Sequence, residues 1–92
     1  MDNIHFKFPS EVTFKTVADV RSGFYELLID KKINQISLDL SDVVHCDSAG
    51  MALLIEAQKL CKKNNKVLEI MGMSPETKSL ADFCGIRTIL EN

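Results

Sequence analysis

The feature that most restricts the fold of this chain is the repeated change in the spacing of its apolar residues. Ile4, Phe6 and Phe8 alternate with His5 and Lys7, the period of a half-buried strand. Pro9-Ser10-Glu11 ends that run, because proline cannot donate to a sheet ladder. From about Thr16 to Lys31 the spacing becomes helical, with Val17, Val20, Phe24, Leu27 and Leu28 recurring on one side. Either Thr13 or Thr16 can cap that helix. Ile33 to Leu40 returns to strand spacing, with Ile36, Leu38 and Leu40 on one face. After a turn at Ser41-Asp42, Val43-Val44 leads to Asp47-Ser48, which can cap a helix running to about Asn64.

Asn64-Asn65-Lys66 breaks the pattern, and Val67–Met71 reads as a third strand. Ser74-Pro75-Glu76 is a strong helix start: a capping hydroxyl, proline at the first helical position, then an acid. Leu80, Ala81 and Cys84 form that helix's apolar side, Gly85 stops it, and Ile86 to Leu90 is open to a last strand or an extended tail. The order β-α-β-α-β-α-β predicts an α/β domain with a largely parallel sheet and right-handed crossovers. Its 92 residues provide one core, so residues 1–92 are expected to form a single domain.

Composition narrows function mainly by exclusion. The net charge is −2 with both signs mixed along the chain, and no basic stripe with interleaved aromatics offers itself to nucleic acid. No apolar run approaches the roughly 18–20 residues of a membrane span, so direct membrane insertion is not expected. MDNIHFKFP lacks the basic-then-apolar order of a secretory signal, which points to the cytoplasm. Cys46, Cys61 and Cys84 are odd in number, form no CxxC pair and sit beside apolar residues, so free thiols are expected. His5 and His45 have no partner at metal-ligand spacing, and no phosphate-binding glycine motif is present, so neither metal nor cofactor is expected.

The stretch DLSDVVHCDSAGMALL, residues 39–54, carries more than fold. On a helical wheel Leu53, Leu54, Ala57, Leu60 and Cys61 share a broad sector that must face the sheet. Ser48, Met51, Ala52, Ile55, Lys59 and Lys62 fall opposite. Met51 and Ile55 are thus expected to point at solvent, as a partner surface, under a loop of the same chain, or as scattered exposed apolars. Asp47 can cap the helix, which frees the Ser48 hydroxyl at the positive end of the helix dipole, where a phosphate is electrostatically favoured. Gly50 is expected to keep the surface beside Ser48 open to close approach.

These residues resemble the signature of STAS domains, named for sulfate transporters and anti-sigma factor antagonists. The family pattern is a strand ending in D-L-S, a short apolar loop, and D-[ST]-x-G-L opening a helix. Here the run is DLSDVVHCDSAGM, with Met51 at the usual leucine. Pro9-Ser10-Glu11-Val12-Thr13 occupies the place of the family's G-E-L-D turn, with Thr13 where the acid usually stands. The resemblance implies a STAS fold, a mixed and mostly parallel sheet of about four strands with helices mainly on one face. MALLIEAQKLCKKNNKV and MGMSPETKSLADFCGI are further similar to the small STAS subunits of Mla-type phospholipid ABC transporters. In those subunits the D-[ST] position lies on the surface that binds the ATPase subunit, so Asp47, Ser48, Gly50, Met51 and Ile55 are the expected partner-binding set. Such a subunit is non-catalytic and supports assembly or activity of the transporter from the cytoplasmic face of the inner membrane. The alternative implied by the same resemblance is an anti-sigma factor antagonist, switched when a partner kinase phosphorylates Ser48. An enzyme is disfavoured, because no nucleophile–base pair is present and an extended His45-Cys46-Asp47-Ser48 run puts its side chains on different faces.

Overall fold

The most deeply buried strand is the centre of the sheet. In the computed structural model, which describes residues 3–83, that strand is β3 (Gln35–Asp39). It follows β1 (Asn3–Lys7), β2 (Glu11–Val12) and α1 (Val17–Leu28), and precedes β4 (His45–Cys46), α2 (Ser48–Lys63), β5 (Val67–Met71) and α3 (Pro75–Phe83). β3 pairs in parallel with β1 on one side and β5 on the other. The register aligns Ile4, Ile36 and Leu68 in one row and Phe6, Leu38 and Ile70 in another. Ile36 and Leu38 are fully buried against a core completed by Phe24 and Leu28 of α1 and by Leu53, Leu54, Ala57 and Cys61 of α2. Phe6 sits edge-on to both Phe8 and Phe24, with ring centroids 5.7 and 6.1 Å away, which ties the first strand to α1.

The opposite face of the sheet is mainly polar, with Val67 and Met71 of β5 as apolar members. Its central row is His5, Ser37 and Glu69, and the buried Ser37 hydroxyl lies 3.4 Å from both Asn3 Oδ1 and Glu69 Oε1, either of which can accept its one proton. One apolar and one polar face is the alternation that the strands' sequences predict.

Several boundaries move from their expected places for local reasons. Helix α1 ends at Leu28 rather than near Lys31, because Asp30 opens a turn in which its carboxylate accepts from Lys32 N and its carbonyl from Ile33 N. Thr16 stands at the cap position of α1, yet its hydroxyl does not cap: it donates to the Glu11 carbonyl at 2.8 Å and accepts from Thr13 N. The Thr13 carbonyl accepts from Thr16 N and Val17 N instead. Ser74 behaves as read, with its Oγ accepting from Thr77 N at 3.1 Å. All strand pairs among the described residues are parallel, with a three-stranded sheet beside a separate two-residue ladder, in keeping with the mostly parallel sheet of about four strands expected. The proposed last strand over 86–90, Gly85 and Cys84 lie outside the described residues.

The short ladder is the element that periodicity could not reveal. Pro9 interrupts the pairing of β1 with β3, and the two chain segments pair again as β2 and β4, with Glu11 opposite His45 and Val12 opposite Cys46. The Ser10 carbonyl bridges the break, accepting from Val44 N at 2.7 Å and His45 N at 3.0 Å.

Among the described residues Cys46 and Cys61 form no disulfide. Burial pushes the Cys61 thiol up to about 11, a rise that the nearby Lys66 charge partly offsets. At pH 8 iodoacetamide is expected to label Cys61 only after denaturation, as peptide mapping by mass spectrometry would reveal. Rapid labelling in the folded protein would contradict the packing described.

Candidate functional site

The β2–β4 ladder delivers the chain directly to the N-terminus of α2, and the side chain that fixes this junction is Asp47. Its Oδ1 accepts from Ala49 N at 3.0 Å and Gly50 N at 3.1 Å, capping the helix. Its Oδ2 accepts from Phe14 N at 3.1 Å, which ties the turn before α1 to the same helix end. These hydrogen bonds, the one from Phe14 foremost, hold the Asp47 carboxyl below the usual carboxylate range. A carboxylate so occupied is a poor general base, so the adjacent Ser48 hydroxyl has no activating partner there.

Gly50 is buried, and the reason differs from the open approach expected of it. A Cβ at this position would run into the Val12 carbonyl oxygen and come within 2.8 Å of Cys46 Sγ. The missing side chain lets the first turn of α2 lie directly on the β2–β4 ladder. Gly50 therefore shapes the site from behind.

Met51 departs from the helical-wheel expectation altogether: it is 2% exposed and belongs to the core. The wheel assumed that only the sheet covers α2. Instead α1 flanks one side, where Arg21 and Tyr25 reach Glu56, and α3 also packs on the helix. The buried residues Gly50, Met51, Leu53, Leu54, Ala57, Gln58 and Cys61 consequently span an arc of about 160° at 100° per residue. Ile55, at the edge of that arc, is half-buried against the core.

What remains in solvent along α2 is Ser48, Ala52, Lys59, Lys62 and Lys63. Ser48 is exposed, and its hydroxyl has no hydrogen bond among the described residues. The structure adds two exposed residues that pattern reading missed. Phe14, 73% exposed, is held next to Asp47 by its own N–H, and Val44, 72% exposed, lies just before β4. Neither belongs to a periodic run, which is why spacing gave no sign of them. An aromatic between Thr13 and Lys15 in a short polar turn was the available signal. The assembled site is a shallow surface with apolar contacts around an exposed hydroxyl at a helix N-terminus.

Among the described residues no group of three or more His, Cys, Asp or Glu side chains could hold a metal ion. No helix there is long and apolar enough to cross a membrane.

The family model for the STAS domain matches residues 2–91. Over 64 residues the chain is 34% identical to the intermembrane phospholipid transport system binding protein MlaB of Haemophilus influenzae, a match covering 70% of this chain and 59% of that protein. The chain thus spans about three-fifths of the length of this curated relative. A sulfate transporter family protein of Wolinella succinogenes superimposes with a TM-score of 0.78 at 24% identity, covering 97% of this chain and 72% of that one. The Bacillus cell fate determinant SpoIIAA in its phosphorylated form superimposes with a TM-score of 0.72 at 14% identity, over 92% and 77% of the two chains. Both structural likenesses are of fold.

Two outcomes follow from the site's construction. Replacing a helical glycine by alanine ordinarily stabilises a helix by about 1 kcal/mol. Gly50→Ala should instead destabilise the domain by about 1–3 kcal/mol in urea titration, because the added methyl overpacks the contact with Val12. The second outcome concerns pH. A carboxyl whose folded-state pKa is lowered contributes stability above its unfolded value of about 4, and that contribution is lost as pH falls through the folded value. The difference in Tm between wild type and Asp47→Asn should therefore be largest above about pH 4 and shrink below it. Parallel curves down to acid pH would show that the Asp47 charge does not hold the junction.

Proposed function

The chain belongs to the STAS domain family, and from that premise we propose that it is a non-catalytic docking subunit. In this reading it binds the ATPase subunit of an Mla-type phospholipid ABC transporter in the cytoplasm and supports the transporter's assembly or activity. The observation that carries the reading is the surface at the start of α2, where exposed Ser48 and Ala52 lie beside the exposed Phe14. Phe14, Val44 and Ala52 expose apolar atoms that a partner can bury, at about 25 cal/mol for each Å² removed from water. The likeness to MlaB, whose name assigns it to intermembrane phospholipid transport, supports the choice of partner. Asp47 and Gly50 serve by holding this surface in place, and Ile55 borders it. Met51 contributes from the core.

A second reading rests on Ser48 itself. Asp47 performs the capping, so the Ser48 hydroxyl is available to a kinase, and the fold is shared with phosphorylated SpoIIAA. In that case the chain is an anti-sigma factor antagonist whose partner is an anti-sigma factor kinase, and Ser48 is the phosphorylated residue. Thr13 points away from this reading. It stands where the family's turn carries an acid, and here its hydroxyl donates to Glu11 Oε2 at 2.7 Å.

The discriminating experiment is binding to the ATPase subunit of an Mla-type transporter from the same host, with thermal melts run in parallel. Phe14→Glu and Ala52→Glu should weaken binding at least about tenfold, because each leaves a charge in an apolar contact, while changing stability by less than about 0.5 kcal/mol. Ala52→Glu is a cleaner probe than Ile55→Glu, since Ile55 also packs against the core. Leu54→Glu, which places the charge in the core, should unfold the domain. Ser48→Ala should be mild and Ser48→Asp severe. Wild-type binding by both surface variants would exclude this face, and stoichiometric phosphate on Ser48 from cells would favour the switch.

A further inference from the structure

Resting on the docking reading, we propose that the α2 face has two chemically distinct ends and that its protein partner presents a row of carboxylates about 17 Å from an apolar pocket. The apolar end is Phe14 and Ala52 beside Ser48, with exposed Val44 just before β4. The other end is Lys59, Lys62 and Lys63, all exposed on the sector of α2 that carries Ser48. Eleven residues separate Ser48 from Lys59, and at 1.5 Å per residue this sets the spacing of the two ends.

None of the fully exposed residues of α2 is acidic, although acidic residues outnumber basic ones by 13 to 11 in the chain. The helix's single acid, Glu56, stands on the border of this sector, one turn from Ala52 and Lys59, and its carboxylate is held by α1. There its carboxylate accepts from Arg21 Nη2 at 2.9 Å, Arg21 Nε at 3.2 Å and Tyr25 Oη at 2.8 Å. Burial opposes its ionisation, but the Tyr25 and Arg21 hydrogen bonds and the Arg21 charge outweigh it and leave the group below the usual carboxylate range. The acids of α1, Asp19 and Glu26, are exposed and pair with none of the three lysines. No ion pair among the described residues engages Lys59, Lys62 or Lys63.

The helix dipole favours Lys62 and Lys63 in the last turn. It does not account for Lys59, which lies before the last turn. A nucleic acid or lipid surface would call for basic residues beside the apolar anchors rather than a helix length away from them. An interface reaching from Phe14 to Lys62 has the span of a standard protein contact, roughly 800 Å² on each partner. The division of labour follows from physics: the apolar end sets the dissociation rate, and the lysine end steers encounter.

The experiment is stopped-flow association and dissociation with the ATPase subunit at about 50 mM and about 300 mM salt. Wild-type association should slow about tenfold across that range. Lys59→Glu/Lys62→Glu should associate about tenfold more slowly at low salt and lose most of the salt dependence, with dissociation little changed. Lys59→Glu alone, outside the last turn, should show the same trend with an unaltered Tm. Phe14→Glu should act mainly on dissociation. Association of the lysine variants at the wild-type rate and salt dependence would overturn the proposal while leaving the docking function intact. Sedimentation of the wild type, but not of the lysine variants, with phosphatidylglycerol vesicles at about 300 mM salt would overturn it in favour of a lipid surface. Failure of the wild type to bind the ATPase at all would overturn the docking function, and this proposal with it.

Discussion

The Asp47 carboxylate gathers backbone N–H groups from Ala49 and Gly50 on its own helix and from Phe14, 33 residues earlier in the chain. Much else depends on this junction. The β2–β4 ladder beneath it has only two residues on each side, too few to hold a helix end alone. Gly50 brings the helix close enough for the junction to form, since any side chain there would strike the Val12 carbonyl. With cap, ladder and close approach together, the turn carrying Phe14 is fixed against the start of α2. The position of every exposed residue around Ser48 follows from that.

The same packing explains which part of α2 is left in solvent. A helix that touches only a sheet hides one stripe, but α2 also meets α1 and α3, and its buried arc widens until it takes in Met51 and Gln58. The apolar character of the exposed face then cannot come from large side chains of α2 itself. It comes from Phe14 and Val44, on the connections that enter and leave the short ladder. Loops placed by a rigid scaffold commonly carry contact residues, because their side chains are not committed to the core. Here the rigid part is the Asp47 junction.

The sequence was informative wherever a run was long enough to show a period. Val67–Met71 and the span of α2 could be read directly, and the Asp47 and Ser74 caps followed from residue chemistry. Two-residue strands have no period, so β2 and β4 were invisible, and with them the contact that makes Gly50 indispensable. Met51 was misplaced because a wheel describes one helix, whereas burial depends on how many neighbours that helix has. The motif around Ser48 was legible as a resemblance. Its surroundings were not, since Phe14 reaches them only through a hydrogen bond between distant segments. Residue identity and spacing thus predicted the elements, while the functional surface arose from contacts between them.

That Asp47 rather than Ser48 caps the helix has a consequence for any modification at this site. A helix N-terminus attracts an anion through unpaired N–H groups and the dipole. Here the Asp47 carboxylate already accepts from Ala49 N and Gly50 N and carries a full negative charge. A phosphate on Ser48 would meet an end that is largely neutralised and a carboxylate on the preceding residue, so the helix dipole would do little to hold it. Nor does the fold need the Ser48 hydroxyl, which makes no bond among the described residues. Charge added at Ser48 would therefore act on whatever covers this surface, through desolvation and repulsion, and leave the domain beneath it nearly unchanged. The arrangement separates the residue that stabilises the helix from the hydroxyl exposed to solvent, so a charge added at Ser48 would not loosen the fold.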